Sequence, residues 1–248
     1  MKTVIDHHTH IGHFYQTNYQ HKSVLTALKK CNVSEITCAY LTPKFDTGKD
    51  AVQFYDTVPE EVKAANMFAR KINVLVHFLA WLDPLVIKSG ITPEKITNDF
   101  DYAGFALHPV LHDWTGSEAA LRDDVFHFCK NDSFPIFIHT GVSSNDNPLN
   151  FEPWFQKFPE VPVRLAHCKE PDPLITLFSK YKNLTGDTAF CPRDSYAAIC
   201  KAGLQDRMYF GSDFPITHWY EKMHNTPETV SEAELTVHYK KLLEEKKF

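Results

Sequence analysis

The chain predicts an α/β fold, a (β/α)8 TIM barrel forming a single domain over residues 1–248, and three observations carry that expectation. Short β-type runs alternate with helical patterns from one end of the 248 residues to the other, the alternation of a parallel sheet covered by helices. No linker or low-complexity tract interrupts it. Several β-type runs end in histidine or aspartate, and functional groups of a barrel sit at strand ends. A doubly wound open sheet is the competitor. It would not gather the ends of the first, fifth, sixth and eighth strands around one centre, and no glycine-rich dinucleotide fingerprint follows the first strand.

The first strand reads as residues 3–10, followed by an aromatic loop and a helix near 22–30. The second strand is 35–41. A long polar stretch, 42–56, is long enough for an active-site lid. A helix over 59–71 follows, with Thr57 as candidate N-cap and Pro59, Glu60 and Glu61 suited to a first turn. Strand three is 73–82 with a helix near 93–100. Strand four is 102–109, followed by an amphipathic helix over 117–130 that Ser117 would cap. The second half repeats the pattern: strands at 134–140, 161–168, 184–190 and 208–213, helices at 151–158, 173–181, 194–202 and 231–247.

Composition narrows the function classes. Hydrophobic residues make up 43% and net charge is −5, with a sequence pI near 6.3. No basic field is present to attract nucleic acid or an anionic membrane. No apolar stretch approaches the roughly 20 residues of a spanning helix, and no secretory signal pattern opens the chain. The six cysteines form no C-x-x-C pair and several lie in apolar runs, where a free thiol behaves as a small hydrophobe. These features point to a cytoplasmic protein with reduced thiols. Cys168 directly follows His167, and strand alternation would turn it to the opposite face.

His8 and His10 form an i, i+2 pair, which in a strand faces one way with Cα atoms roughly 6–7 Å apart. Two such imidazoles reach a single ion at about 2.0–2.1 Å. Later strand ends offer His108, His139, His167 and Asp213. Each has a bland alternative as a hydrogen-bonded core residue, and Asp213 as a cap before Pro215. Coincidence at four strand ends is the weaker explanation. Imidazole with carboxylate suits zinc, manganese or iron.

The pieces Ile5-Asp6-His7-His8-Thr9-His10, Ile138-His139-Thr140-Gly141, Leu165-Ala166-His167 and Phe210-Gly211-Ser212-Asp213-Phe214-Pro215 resemble the amidohydrolase superfamily. The likeness is to the amidohydrolase-related branch that includes aminocarboxymuconate semialdehyde decarboxylase. The resemblance implies one divalent metal ion, zinc first with manganese or iron as alternatives. His8, His10, His139 and Asp213 would be its ligands, and His167 would stand beside the metal-bound water as base or occasional ligand. Two-metal members carry a bridging carbamylated lysine or a glutamate on strand four. Here the run Gly104-Phe105-Ala106-Leu107-His108-Pro109 has neither, which favours one metal. The branch's closing asparagine–arginine-leucine-phenylalanine pattern is absent from residues 235–248, so the last helix would pack differently.

The expected chemistry is hydrolysis of a C–N or C–O bond in a small carbonyl compound through a metal-activated water, with Asp213 and His167 as the catalytic proton carriers. Lowering the pKa of water from 15.7 to about 7 is worth on the order of 12 kcal/mol. Non-oxidative decarboxylation with nearly the same ligands is the alternative. A catalytically silent barrel acting as a binding protein is the second. Of the five arginines, Arg193 alone falls just beyond a strand end on the substrate side. It reads either as a bidentate anchor for a substrate carboxylate or as a surface residue opening the seventh helix. His108 and Trp219 are further substrate-binding candidates; His13, His112, Trp114 and Tyr220 lie in loops that would line the mouth, and His7 would face the helices. Asp6 shares the face of His8 one layer deeper, as a group behind the ligands or as a plain interior carboxylate. The expected partner is a small molecule, a carboxylate among the candidates. Barrels of this branch often pair, so a homodimer is the expected assembly.

Overall fold

The computed structural model describes residues 3–42, 45, 47–112, 114, 119–141, 143–222 and 225–245. It is an α/β fold whose nine-stranded sheet runs in the order β2-β1-β3-β4-β5-β6-β7-β8-β9. Apart from the hairpin strand β2, the strands follow one another in chain order, and the ladders recorded beyond β2 are parallel. The chain groups into two compact units: Met1–Pro43, Thr57–Phe78 and Phe210–Phe248 form unit one, and Lys44–Asp56 with Leu79–Tyr209 form unit two.

Unit one holds β1 (Val4–Phe14), β2 (Thr17–Tyr19), α1 (His21–Lys30) and β3 (Val33–Leu41). The first strand runs four residues past the expected end at residue 10. It turns back through Tyr15, where φ is +51°, and β2 pairs antiparallel with it from Gly12 to Phe14. The aromatic loop is therefore a hairpin. Opposite β3, Asp6 pairs with Ile36 but Thr9 with Cys38, so β1 carries an extra residue at His7–His8. Such a bulge re-aims the side chains it holds. After β9 the chain re-enters this unit and bonds to β1: His7 N–H donates to Phe210 O (2.9 Å), Asp213 N–H to His8 O (2.8 Å), and His10 N–H to Phe214 O (2.8 Å). The two segments that carry His8, His10 and Asp213 are thus laced together by backbone. The closing helix α10 (Glu232–Glu245) packs on α1. The apolar face of α1 is Val24, Leu25, Ala27 and Leu28.

The helix α2 spans Gly48–Lys71, eleven residues earlier than expected. Thr57 is inside it and caps nothing, and most of the 42–56 stretch is helix, not loop. Its start is closed by Thr47, whose hydroxyl accepts from Asp50 N–H (3.3 Å), an N-cap bond, and donates to Asp50 Oδ2 (2.7 Å). Pro59 sits in the helix interior, where it offers no amide to the Tyr55 carbonyl.

Unit two holds the end of β4 (Leu75–Trp81), α3 (Pro84–Lys88), α4 (Pro93–Asp99), β5 (Gly104–Leu107), α5 (Ala119–Asp132), β6 (Ile136–Ile138), α6 (Glu152–Lys157), β7 (Val163–Leu165), α7 (Pro171–Lys180), β8 (Leu184–Asp187), α8 (Arg193–Lys201) and β9 (Met208–Tyr209). The strands are shorter than read from sequence because the functional residues lie just past the ladders. The 208–213 strand ends at Tyr209, so Asp213 is in a turn, and β7 ends at Leu165, two residues before His167. Two short helices, α3 and α9 (Ile216–Glu221), were not expected. Asp83 caps α3, accepting from Leu85 N–H (2.7 Å). Ser117, expected to cap the 117–130 helix, lies outside the described residues. All six cysteines are free thiols and five are buried. Among the described residues no helix is long and apolar enough to cross a membrane.

Candidate metal centre

In unit one, three ligand-type atoms converge. His8 Nε2 lies 3.2 Å from His10 Nε2. Asp213 Oδ1 lies 3.4 Å from His8 Nε2 and 3.0 Å from His10 Nε2. Ligands held at about 2.0–2.2 Å by one ion stand roughly 3.0–3.5 Å from each other, so these separations fit a shared divalent cation. The ring tautomers agree. His10 Nδ1 faces Ala39 O at 3.1 Å; a carbonyl only accepts, so Nδ1 carries the proton and Nε2 presents its lone pair to Asp213. Lone pairs of an imidazole and a carboxylate 3.0 Å apart repel unless a proton or a cation lies between them. All three side chains are buried, where that repulsion is least screened.

Local backbone explains the convergence. Asp213 has φ +55°, a left-handed conformation aspartate tolerates better than most residues; the next peptide, Phe214–Pro215, is cis. Beneath the ligands, Asp6 is fully buried. Its Oδ1 accepts from His8 N–H (3.1 Å) and Ser212 N–H (3.0 Å), and Oδ2 accepts from Tyr239 Oη (2.6 Å). Burial raises the Asp6 carboxyl above its ordinary value, although these donors pull the other way. Asp6 therefore holds the backbones of both ligand-bearing segments. Trp219, on α9, is buried and stacks on Tyr15 with ring centroids 5.0 Å apart. Tyr220 is exposed and His13 is exposed.

In unit two, His108, His139 and His167 come together. His139 stacks on His108 with centroids 3.8 Å apart, and His139 Nδ1 is 3.0 Å from His167 Nε2. His167 Nδ1 donates to Ala189 O (3.2 Å), which leaves Nε2 as the lone-pair nitrogen. His108 Nδ1 accepts from Leu111 N–H (3.1 Å). His167 and Cys168 take left-handed φ values of +71° and +40°, so strand alternation does not govern them. Cys168 is instead removed from the histidines by burial beside Gly186 and Leu165. That burial holds its thiol well above the usual range.

Two carboxylates that the sequence reading passed over organise this unit. Asp187, at the end of β8, accepts on Oδ1 from His167 N–H (3.2 Å) and Ala189 N–H (2.9 Å). Asp146 stands with Oδ2 3.9 Å from His139 Nε2. A signal for the first was available, since an aspartate closes the otherwise uncharged run Leu184-Thr185-Gly186. Arg193 is exposed as the first residue of α8. Trp114 is fully buried with Nε1–H donating to Leu82 O (2.7 Å), a core residue and not a lining one. His112 is buried too, and burial pushes its imidazole down to about 3.

Solved structures of similar fold cover nearly the whole chain. One is described as a probable 2-pyrone-4,6-dicarboxylic acid hydrolase from Acinetobacter baumannii with citric acid bound; it is 10% identical, with 98% of this chain and 92% of that chain covered and a TM-score of 0.64. A structure from Staphylococcus aureus described as a putative amidohydrolase is 13% identical over 100% and 94% of the two chains, TM-score 0.63. A 5-carboxyvanillate decarboxylase from Novosphingobium aromaticivorans, complexed with manganese and 4-hydroxy-3-methoxy-5-nitrobenzoic acid, is 10% identical over 86% and 75%, TM-score 0.57. At such identities the likeness is one of fold. Among curated proteins none matches the sequence. The amidohydrolase family model matches residues 76–235, well over half of the chain, and it runs through the strand ends that carry His108, His139, His167 and Asp213. On that match the chain belongs to the amidohydrolase family of enzymes.

Proposed function

We propose that this protein is a mononuclear metal-dependent hydrolase of a C–N or C–O bond in a small carbonyl compound, a carboxylate among the candidate substrates. His8, His10, His139 and Asp213 are its metal ligands, and the chain works as one functional domain. The observation that carries the reading is the triad of His8 Nε2, His10 Nε2 and Asp213 Oδ1, mutually 3.0–3.4 Å apart and buried. A divalent ion, zinc first and manganese or iron next, supplies Lewis acidity and a lowered water pKa when bound there. His167, its Nδ1 proton engaged by Ala189 O, offers Nε2 as the base that takes a proton from the attacking water. Asp213 helps carry that proton to the leaving group. His108 and Trp219 contribute to the substrate pocket, and Arg193 anchors a substrate carboxylate. Free, mostly buried thiols support a cytoplasmic setting, and a homodimer is the expected assembly.

The fold shared with decarboxylases from Novosphingobium aromaticivorans and Rhizobium keeps a second reading in play, metal-dependent non-oxidative decarboxylation of a small carboxylic acid. Elemental analysis of the purified protein tests the shared premise: one equivalent of divalent metal is expected, lost in Asp213→Ala and His139→Ala. Unchanged stoichiometry in both variants overturns the ligand assignment. A screen of small lactones, amides, esters and carboxylates then separates the reactions, because CO2 release without a hydrolysed product identifies the decarboxylase.

A further inference from the structure

Helices α9 and α10 of unit one meet through two buried histidines that the proposed chemistry does not use. His218, on α9, donates from Nε2 to Glu234 Oε1 of α10 (3.2 Å), and His238, on α10, donates from Nδ1 to Glu221 Oε2 of α9 (2.5 Å). A carboxylate only accepts, so these nitrogens carry the protons of the neutral rings. The remaining nitrogens then accept, His218 Nδ1 from Tyr19 Oη (3.3 Å) and His238 Nε2 from Thr217 Oγ1 (3.1 Å). Each helix thus gives the other one imidazole and one carboxylate.

The surrounding charges suit neutral rings. Facing them are Tyr19 from β2, Glu221 and Lys222 from α9, and Glu234 and Lys241 from α10. Phe214, whose ring lies along His238, adds no charge. Glu221 already holds the Lys241 ammonium (2.9 Å), and Glu234 holds that of Lys222 (2.9 Å). The two carboxylates are therefore matched before either imidazole is charged. A further proton is an unmatched charge in a buried place, and the ring centroids stand 5.3 Å apart, so a second proton also meets the first. Protonation turns each accepting nitrogen into a donor, and the Thr217 and Tyr19 hydroxyls lose their bonds to the rings. Burial holds both imidazoles below their ordinary value, His238 at about 4.

We propose that the contact between α9 and α10 is an acid-released latch, closed while His218 and His238 are neutral and opened when they are charged. A released ring titrates near 6.5 and so binds more protons than a latched one. The latch is whole above that pH and weakens as pH falls toward 4. Release reaches the ligand-bearing segments, because α10 carries Tyr239, which donates to Asp6 Oδ2, and Thr217 N–H donates to Asp213 O (3.2 Å). That consequence rests on the reading of Asp213 as a ligand; the latch does not, and its test reads the helices directly.

Amide exchange on the full chain, corrected for intrinsic rates, gives the opening constant of α10 at Thr236, His238 and Tyr239. It is expected to exceed that of Leu174–Phe178 in α7 at pH 7. Between pH 7 and pH 5 it should rise about 20-fold from His238 alone. His238→Gln, which has no ring to titrate, should lose most of that rise. Lys241→Met changes an exposed side chain and leaves Glu221 free to match an imidazolium, so its rise should be smaller than the native one. It decides the matter alone if His238→Gln does not fold. A native rise below about twofold, an equal rise in native protein and Lys241→Met, or α10 opening only as readily as α7 at pH 7 overturns the latch.

Discussion

Three carboxylates do at residue scale what the strand ladders leave undone. His108, His139 and His167 lie beyond the ends of their ladders, and His8 sits at the bulge of β1. Asp6 takes the amides of His8 and Ser212, Asp187 those of His167 and Ala189, and Asp146 that of Ser143. Each fixes a turn whose side chains must point one way. Tyr239→Phe removes one donor from Asp6, the 2.6 Å bond to Oδ2. A loss on the order of 1–3 kcal/mol is expected, read as a lower urea midpoint; an unchanged midpoint would show that the phenol contributes nothing to holding Asp6. The histidines and Asp213 were legible in the sequence as strand-end residues. Their supporting acids were less so. Asp146 lies seven residues past His139 in a polar loop, and only the folded loop turns its carboxylate inward.

At the scale of elements, sequence signals were read correctly where periodicity was long and poorly where two start signals competed. The helices 21–30, 171–180 and 232–245 lie within a few residues of the predicted spans. For α2, Thr57, Pro59 and the two glutamates looked like a first turn, while the true start carries a quieter cap, Thr47 ahead of Gly48-Lys49-Asp50. Proline is tolerated inside a helix at a cost, so it marks a start less surely than a paired cap does. Thr47→Ala is expected to cost about 1 kcal/mol and to speed amide exchange at Ala51, Val52 and Gln53 while Ala64–Phe68 keeps its protection. Equal rates in the two proteins would show that the cap does not hold the start. From β4 to β9 the strands were predicted too long for one reason. The sequence stays apolar or functional past the last ladder bond, and left-handed residues such as Asp213 and His167 leave no mark in hydrophobic pattern.

For the molecule as a whole, stability should be acid-sensitive in a definite window. His112 is buried and its imidazole is pushed down to about 3 by that burial, against about 6.5 in an unfolded chain. Between those values the unfolded chain holds a proton the folded one does not, so stability falls as pH drops from 6.5 toward 3. The slope approaches about 1.4 kcal/mol per pH unit. Urea midpoints at pH 7 and pH 4.5 measure it, and His112→Phe, which keeps an aromatic ring against Trp81, should flatten the decline. A native protein equally stable at both values would show that His112 titrates normally. The net charge and the alternation of elements, both read from sequence, fixed the class of molecule; the burial of one loop histidine could not be read there, because nothing local distinguishes it from the exposed His13.

The bond between Asp6 and Tyr239 joins residues 233 positions apart in the chain. On a ribosome adding about 5–20 residues per second, His8 and His10 emerge on the order of ten to fifty seconds before Asp213 and the helix bearing Tyr239 follow. During that interval the two imidazoles stand in solvent without the carboxylate that completes their cluster, and an ion captured early is held by two nitrogens only. A cation held by this half would therefore find its full set of neighbours only once Asp213 has been added, so the finished fold rather than the nascent chain would set which ion is retained.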